Sequence, residues 1–175
     1  MQDNVLSMSR PFPPQPQKSY LMQVRTVADY QFGRGAGKIL FSEDTGFIFS
    51  STGRIRQILD GDGRIATVRA KDGFLTLSIE GARRLHSSLD YPGLRVVIQK
   101  DVSSFIKEGR NVFARHVIDV DSKIRAHEEV IVVDEDDELL ATGRANLSAE
   151  EMDSFERGVA VDVRSGTGKK PTYIG

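Results

Sequence analysis

A short segment in the second half of the sequence combines the residue types that hold a phosphate backbone. Lys107, Arg110 and Asn111 supply hydrogen-bond donors on either side of Gly109. Glycine can adopt the left-handed conformation that ends a helix, and its missing side chain lets a nucleic-acid strand approach closely. Phosphate oxygens bind cationic side chains and free backbone N–H groups. The segment therefore predicts a phosphate-binding site, and a simple helix cap beside a solvated arginine is an equal alternative.

Other basic residues could extend this site. Arg54 and Arg56 alternate with Ile55, so a strand would place both arginines on one face, which either contacts a ligand or is solvated. Arg115 and Lys100 are supporting candidates, and both could also be ordinary surface charges.

The sequence shows no arrangement for catalysis, metal binding or nucleotide binding. It has no cysteine, which excludes disulfides, thiolate nucleophiles and zinc sites with cysteine ligands. Neither Asp29 nor Asp72 has a visible partner as a general base. The glycine-rich segment at residues 33–38 departs from the Walker motif in its spacing, which favours a helix interrupted for packing. We therefore predict no catalytic residue, no metal and no cofactor.

The charge distribution limits the kind of nucleic-acid binding. A formal net charge of -1 argues against a protein that coats nucleic acid through bulk charge, so any such site must be a local patch. Arginines and lysines gather at residues 54–84 and 107–125, whereas acidic residues crowd residues 134–138 and 150–156. The first acidic run is spaced like a solvated hairpin tip.

Length and hydropathy favour two small units in a cytoplasmic protein. The chain has 175 residues, of which 39% are hydrophobic, and it lacks the roughly 18-residue apolar run that could span a bilayer. Its proline-rich start has no apolar core of a signal peptide, so we expect a flexible arm at residues 1–18.

Periodicity in the first half predicts a helix, a small sheet and another helix. Residues 20–40 follow a helical face until a glycine-rich break. Four segments of strand character, separated by glycine-containing turns, indicate an antiparallel meander at residues 47–50, 54–59, 64–69 and 74–79. An amphipathic helix at residues 79–89 follows.

The Tyr-Pro-Gly segment at residues 91–93 interrupts this pattern, and we place a domain boundary there. Beyond it we predict strands at residues 94–99, 112–120, 129–133, 138–146 and 159–163, with helices at 102–107 and 148–157. Ser148 and Glu151 form the capping-box pattern of a helix start. Phe105 and Phe113 sit among aliphatic residues, which predicts that both are core. Short strands with two small helices indicate a compact mixed barrel.

A collinear series of segments in this half carries a family resemblance. The segments are RVVIQKD at residues 95–101, FIKEGRNVFA at 105–114, EVIVVDE at 129–135, LLATGRA at 139–145, LS at 147–148 and GVAV at 158–161. The series resembles a PUA domain, as found in RNA-modifying enzymes and ribosome-assembly factors. The resemblance implies a β pseudo-barrel with two short helices, so the fold class predicted for the chain is α+β.

The PUA resemblance also implies where RNA would bind. In PUA domains the helix, loop and strand around Gly109 line the RNA groove, and the final strand and tail face the same groove. This adds Arg164, Lys169 and Lys170 to the predicted site, although a mobile basic tail that attracts phosphates without specificity is equally plausible. We expect Arg110 and Arg164 to be exposed charges whose reversal leaves folding intact.

The first half extends the likeness through ADYQFGRGA at residues 28–36, TGRIR at 52–56 and LTLSIEGARRL at 75–85. These segments look like the domain that precedes PUA in archaeal, archaeosine-type tRNA-guanine transglycosylases. The catalytic barrel of that family would lie N-terminal to the matching part and has no counterpart here, and its cysteine-rich zinc motif is excluded. The resemblance therefore implies an RNA-handling module without base-exchange chemistry.

The resulting domain prediction is a proline-rich arm at residues 1–18, a transglycosylase-like pre-PUA domain at 19–92, a PUA domain at 93–166 and a basic tail at 167–175. The implied function is non-catalytic recognition of folded tRNA, serving tRNA modification with a separate catalytic chain. Two alternatives stay open. One is an assembly subunit of a split transglycosylase that docks through an apolar face of its first helix. The other is a PUA protein associated with the ribosome or translation factors.

Overall fold

The structure is a computed structural model that describes residues 17–61 and 63–168. Nearly all of the predicted arm and tail lies outside these residues. The helices are α1 (Gln17–Phe32), α2 (Ala36–Leu40), α3 (Ile79–Ser88), α4 (Ser103–Lys107) and α5 (Ala149–Ser154). The strands are β1 (Gly46–Phe49), β2 (Ile55–Asp60), β3 (Gly63–Val68), β4 (Leu75–Leu77), β5 (Arg95–Ile98), β6 (Val112–Phe113), β7 (Val117–Val120), β8 (Glu129–Val133), β9 (Leu139–Ala145) and β10 (Val159–Gly166). No helix in the described ranges is long and apolar enough to cross a bilayer.

The first two helices pack closely because glycines join them. The buried stripe of α1 consists of Leu21, Val24, Ala28 and Phe32. Gly33 and Gly35 have positive φ angles of 106° and 92°, which turn the chain so that α2 folds back on α1. The Gly37 N–H donates to Asp29 Oδ1 at 2.7 Å, and a Cβ on Gly37 would collide with the α1 backbone. The glycine-rich break therefore serves packing, as predicted, and Asp29 has a structural partner.

Strands β1 to β4 form an antiparallel sheet in sequence order, which confirms the predicted meander. Ile58, Ile65 and Leu75 from this sheet share one core with α1 and α3. Helix α3 begins where expected, because the Ser78 hydroxyl accepts a hydrogen bond from the Gly81 N–H at 3.1 Å. The first domain is thus a small sheet covered by helices.

The second half forms a six-stranded sheet in the order β6-β10-β9-β8-β5-β7. Strands β5 and β8 are parallel, and the other pairs are antiparallel. The single strand predicted at residues 112–120 is wrong: a 3-10 turn at Ala114–His116 divides it into β6 and β7. These strands occupy opposite edges of the sheet, so the chain must turn between them. The capping box of Ser148 and Glu151 is confirmed, and the nearly closed sheet with short helices is the α+β fold predicted.

The two domains share buried contacts. Ile131 and Leu139 of the second domain lie in the core of the first. Arg95 is buried and donates to the carbonyl of His86 in α3 at 2.9 Å, while its Nε donates to Asp137 Oδ1 at 2.7 Å. Because a buried guanidinium needs these partners, the contacts fix the orientation of α3 against the second sheet.

Candidate nucleic-acid interface

Helix α4 ends in a Schellman motif. Gly109 has a φ of +93° and donates its N–H to the Ile106 carbonyl at 2.9 Å. The Arg110 N–H donates to the Phe105 carbonyl at 3.1 Å. This pair of hydrogen bonds requires a left-handed residue, which glycine adopts without a steric cost. The prediction that Gly109 ends the helix is confirmed, and the turn leaves Arg110 exposed.

Strand β10 lies directly beside this helix end. The Gly168 N–H donates to the Lys107 carbonyl at 2.9 Å, and a Cβ on Gly166 would overlap the same carbonyl. Asn111 Oδ1 accepts from the Val163 N–H at 3.0 Å. The fold therefore brings together the two segments in which we placed the groove. The Asn111 side chain also donates from Nδ2 to Asp162 Oδ1 at 3.2 Å, so this residue connects the loop to β10.

The predicted basic residues in α4 and around β6 differ in whether they pair with a carboxylate. Lys107 Nζ forms an ion pair with Glu138 Oε1 at 2.7 Å. The exposed Arg115 guanidinium lies 5.7 Å from the centroid of the Phe113 ring, where a cation–π contact is favourable. Within residues 17–61 and 63–168, neither Arg110 nor Arg115 forms an ion pair with a carboxylate. Their charges are therefore available to a polyanion.

Arg164 has a structural role that the sequence did not reveal. Its Nη1 forms an ion pair with Glu129, whose side chain is 2% exposed against 37% for that of Arg164. Burial raises the pKa of Glu129, and the charge and hydrogen bond of Arg164 oppose that rise. Arg164 is exposed, as expected, but it pairs with a buried carboxylate. We therefore expect charge reversal at Arg164 to destabilise the fold, because Glu129 would then be buried beside a second negative charge.

The other predicted basic residues lie apart from this face. Arg54 and Arg56 are both exposed and flank the buried Ile55, the first residue of β2. Strand β3 lies between β2 and β4, and β4 is the strand of that sheet that borders the second domain. The two arginines therefore belong to the first-domain sheet. Lys169 and Lys170 lie outside the described residues.

Two phenylalanines that we predicted to be core are exposed. Phe105 is 53% exposed and Phe113 is 44% exposed, so that prediction is wrong. Helix α4 is a single turn that buries Ile106, and its neighbour Phe105 consequently points outward. Strand β6 is an edge strand in which Val112 is buried and Phe113 faces out. Alternation of Val112 and Phe113 along a strand was the signal that could have identified this.

The acidic run forms the β8–β9 turn, as predicted, but it is not merely a solvated tip. Asp134 is buried, and its Oδ1 accepts hydrogen bonds from the N–H groups of Asp136 at 2.9 Å and Glu138 at 3.0 Å. The side chains of Asp136 and Glu138 then pair with Lys100 and Lys107. Part of the positive charge near α4 is therefore neutralised by this turn.

The described residues form no metal-binding cluster, and Asp72 is a turn residue. Over residues 17–61 and 63–168, no three His, Cys, Asp or Glu side chains are grouped so that they could hold a metal ion. Asp72, a candidate base in the sequence, pairs with Arg69 at 3.0 Å and accepts from the Phe74 N–H at 3.0 Å, as a turn residue does.

Comparisons with known families and proteins assign both halves of the chain. Residues 22–92 match the patch-forming domain C2 of tRNA-guanine transglycosylase, and residues 94–167 match the PUA domain. The chain is 52% identical over 147 residues to a tRNA-guanine(15) transglycosylase of Methanothermobacter thermautotrophicus, covering 83% of this chain and 22% of the relative. A relative of the same name from Pyrococcus furiosus is 47% identical over 150 residues, covering 86% of this chain and 25% of the relative. The chain thus spans about a quarter of the length of these relatives.

Solved structures support the same fold. A hypothetical protein from Pyrococcus horikoshii superposes with a TM-score of 0.70 at 22% identity, over 89% of this chain and 94% of the other. A conserved PUA domain protein from Thermoplasma acidophilum gives a TM-score of 0.62 at 17% identity, over 89% and 93% of the two chains. The chain therefore consists of a transglycosylase C2 domain followed by a PUA domain, and it resembles the C-terminal part of the archaeal tRNA-guanine(15) transglycosylases.

Proposed function

We propose that this protein binds folded RNA, and tRNA in particular, through the face formed by α4, β6 and β10, hereafter the α4 face. The carrying observation is the Schellman turn at Gly109 against the end of β10, with the exposed Arg110 in that turn. Arg115 lies near the start of β10, where the Ala114 N–H donates to the Gly158 carbonyl. Over residues 17–61 and 63–168, neither guanidinium pairs with a carboxylate. Such a face suits a phosphate backbone, since it combines cations with a close approach to the main chain. The relatives are tRNA-guanine(15) transglycosylases, and this name supports tRNA as the ligand.

The exposed phenylalanines add a second kind of contact to the α4 face. Phe105 and Phe113 offer flat apolar surfaces on which unpaired bases could stack. Arginine and aromatic side chains both occur at RNA-binding sites, because both can stack on bases. The face therefore fits an RNA whose backbone is folded and whose end or loop carries accessible bases.

The proposal assigns no catalysis to the chain itself. The chain spans about a quarter of the relatives' length, and the two candidate bases of its sequence, Asp29 and Asp72, have structural partners. We propose that it serves tRNA modification together with a separate catalytic chain, in the cytoplasm. The alternative that the chain is only an assembly subunit relied on an apolar face of the first helix. That apolar stripe of α1 is buried in its own domain, so it is not free to bind a partner. Association with ribosomes through the same PUA surface is a further alternative.

The proposal is tested by RNA binding with two matched pairs of charge reversals. Arg110→Glu with Arg115→Glu should weaken tRNA binding at least tenfold. The negative slope of log K against log salt should become less steep by about two, since each lost phosphate contact accounts for about one. Arg54→Glu with Arg56→Glu changes the net charge equally, and its effect should be much smaller. Equal losses in both variants, or equal affinity of wild type for tRNA and unstructured RNA, contradict a specific α4 face.

Copurification separates the assembly alternative from RNA recognition. A catalytic chain that binds this protein in nuclease-treated extract, while the Arg110 and Arg115 reversals leave that complex intact, would indicate protein assembly. Loss of the complex on nuclease treatment would indicate that RNA connects the two chains.

A further inference from the structure

The first domain carries an exposed aromatic platform that the α4 face does not include. Tyr30, at the end of α1, is 80% exposed, and its ring is nearly parallel to that of Phe74, with 14° between the planes and 6.0 Å between the centroids. The guanidinium of Arg69 lies 5.6 Å from the Phe74 centroid. A large ring held parallel to another ring while it faces solvent presents a flat surface on which a further ring can stack.

Hydrogen bonds hold the platform in place. Gln31, which follows Tyr30 in α1, donates from Nε2 to the Leu75 carbonyl and accepts from the Leu75 N–H, both at 2.8 Å. These bonds fix the end of α1 against β4, beside Phe74. Arg69 is oriented by Asp72 through two contacts of 3.1 and 3.0 Å. The platform is therefore pre-organised, which lowers the entropy cost of binding.

A cleft of about 320 Å³ opens next to the platform, between the two domains. Its lining is Arg69, Arg144, Asp162, Val163 and Arg164. Each arginine has an acidic partner, but a guanidinium carries five N–H donors, and these ion pairs occupy one or two of them. The Arg144 pair is long, at 3.4 Å, and both of its side chains are partly exposed, so a phosphate can compete for this arginine.

The cleft is continuous with the α4 face along β10. Asn111, in the loop after the α4 turn, bonds both Asp162 and Val163, and these two residues line the cleft. An RNA strand that lies on the α4 face can therefore cross β10 into the cleft and reach the platform without leaving the protein surface.

We propose that the cleft and platform bind one unpaired nucleotide of the RNA, with its base stacked on Tyr30 and its phosphate among Arg69, Arg144 and Arg164. The proposal rests on the RNA-binding function proposed above and extends it to the first domain. It identifies an RNA with a single-stranded end or an exposed loop, because paired bases cannot present a free face to Tyr30.

Tyr30→Trp provides a direct test, because the sequence has no tryptophan and the new residue is a unique fluorophore. Binding of a tRNA should quench its fluorescence, whereas a blunt duplex should bind without quenching. Tyr30→Ala should weaken tRNA binding about tenfold and duplex binding less than twofold, and Tyr30→Phe should restore tRNA affinity. Met22→Ala, another exposed apolar position on α1, should leave the affinity unchanged.

The outcomes separate this proposal from the one on which it rests. If tRNA binds, and the Arg110 and Arg115 reversals weaken it, but Tyr30→Ala and Tyr30→Trp show no effect, the platform does not contact RNA and the α4 face stands. If wild type does not bind tRNA, the proposed function itself fails. If tRNA quenches the Tyr30→Trp fluorescence but Arg144→Ala leaves the tRNA affinity unchanged, the base stacks on Tyr30 while the phosphate lies outside the cleft. That result overturns the site as stated.

Discussion

Substitution of Arg164 should reveal a buried charge that the sequence conceals. Arg164→Ala removes the partner of Glu129, a carboxylate that is 2% exposed. Removing one member of a buried ion pair costs about 3–5 kcal/mol, and Arg164 is 37% exposed, so screening places the expected loss near 3 kcal/mol at pH 7. Arg144→Ala is the matched control, since its pair with Asp162 is partly exposed on both sides and contributes about 0–1 kcal/mol.

The stability lost in Arg164→Ala should be smaller at pH 5 than at pH 7. Burial raises the pKa of Glu129 above its ordinary value of 4.5, and loss of Arg164 should raise it further. A group with a raised folded pKa stabilises the fold below its unfolded pKa, and this contribution is lost as pH rises through the folded value. The gap in unfolding free energy between wild type and Arg164→Ala should therefore shrink from pH 7 to pH 5.

Urea unfolding followed by far-UV circular dichroism measures these differences. The double variant Arg164→Ala with Glu129→Gln should recover most of the stability, since glutamine can keep the hydrogen bonds to Leu77 and Thr142 without a charge. A loss in Arg164→Ala no larger than in Arg144→Ala would refute the reasoning. A gap that is the same at pH 7 and pH 5 would show that loss of Arg164 does not change the ionisation of Glu129 over this range, contrary to the expected rise in its pKa.

Three further predictions concern the fold. Arg95→Ala should lower the unfolding free energy by about 2–3 kcal/mol in urea titrations, because it removes a buried side chain and leaves the His86 and Gly93 carbonyls without their donor; a change below 1 kcal/mol contradicts this. Burial tends to raise the pKa of Asp137, but the hydrogen bond and charge of Arg95 hold it below 3.8. Asp137→Asn should therefore lower the unfolding free energy by about 1 kcal/mol at pH 6, and this difference from wild type should disappear as pH falls through that lowered pKa. Ser148→Ala should cost about 1 kcal/mol by removing a helix cap, and an unchanged midpoint would show that the capping box is dispensable.

The sequence by itself determined most of the element order and several helix boundaries. The glycine break after α1, the cap at Ser148 and the turn at Gly109 follow from local rules, since each depends on neighbours within four residues. The meander follows from strand-like segments separated by glycine-containing turns. Arg54 and Arg56 could be placed on one face for the same reason, because alternation along a strand is local.

Only the tertiary structure decided which charges are free. Arg164 and Glu129 are 35 residues apart, so no local pattern shows that one neutralises the other inside the fold. The exposure of Phe105 and the engagement of Asn111 depend likewise on how α4 and β10 meet. The platform at Tyr30 and its cleft arise where two domains come together, and long-range packing of this kind is set by the whole core and not by any segment of it.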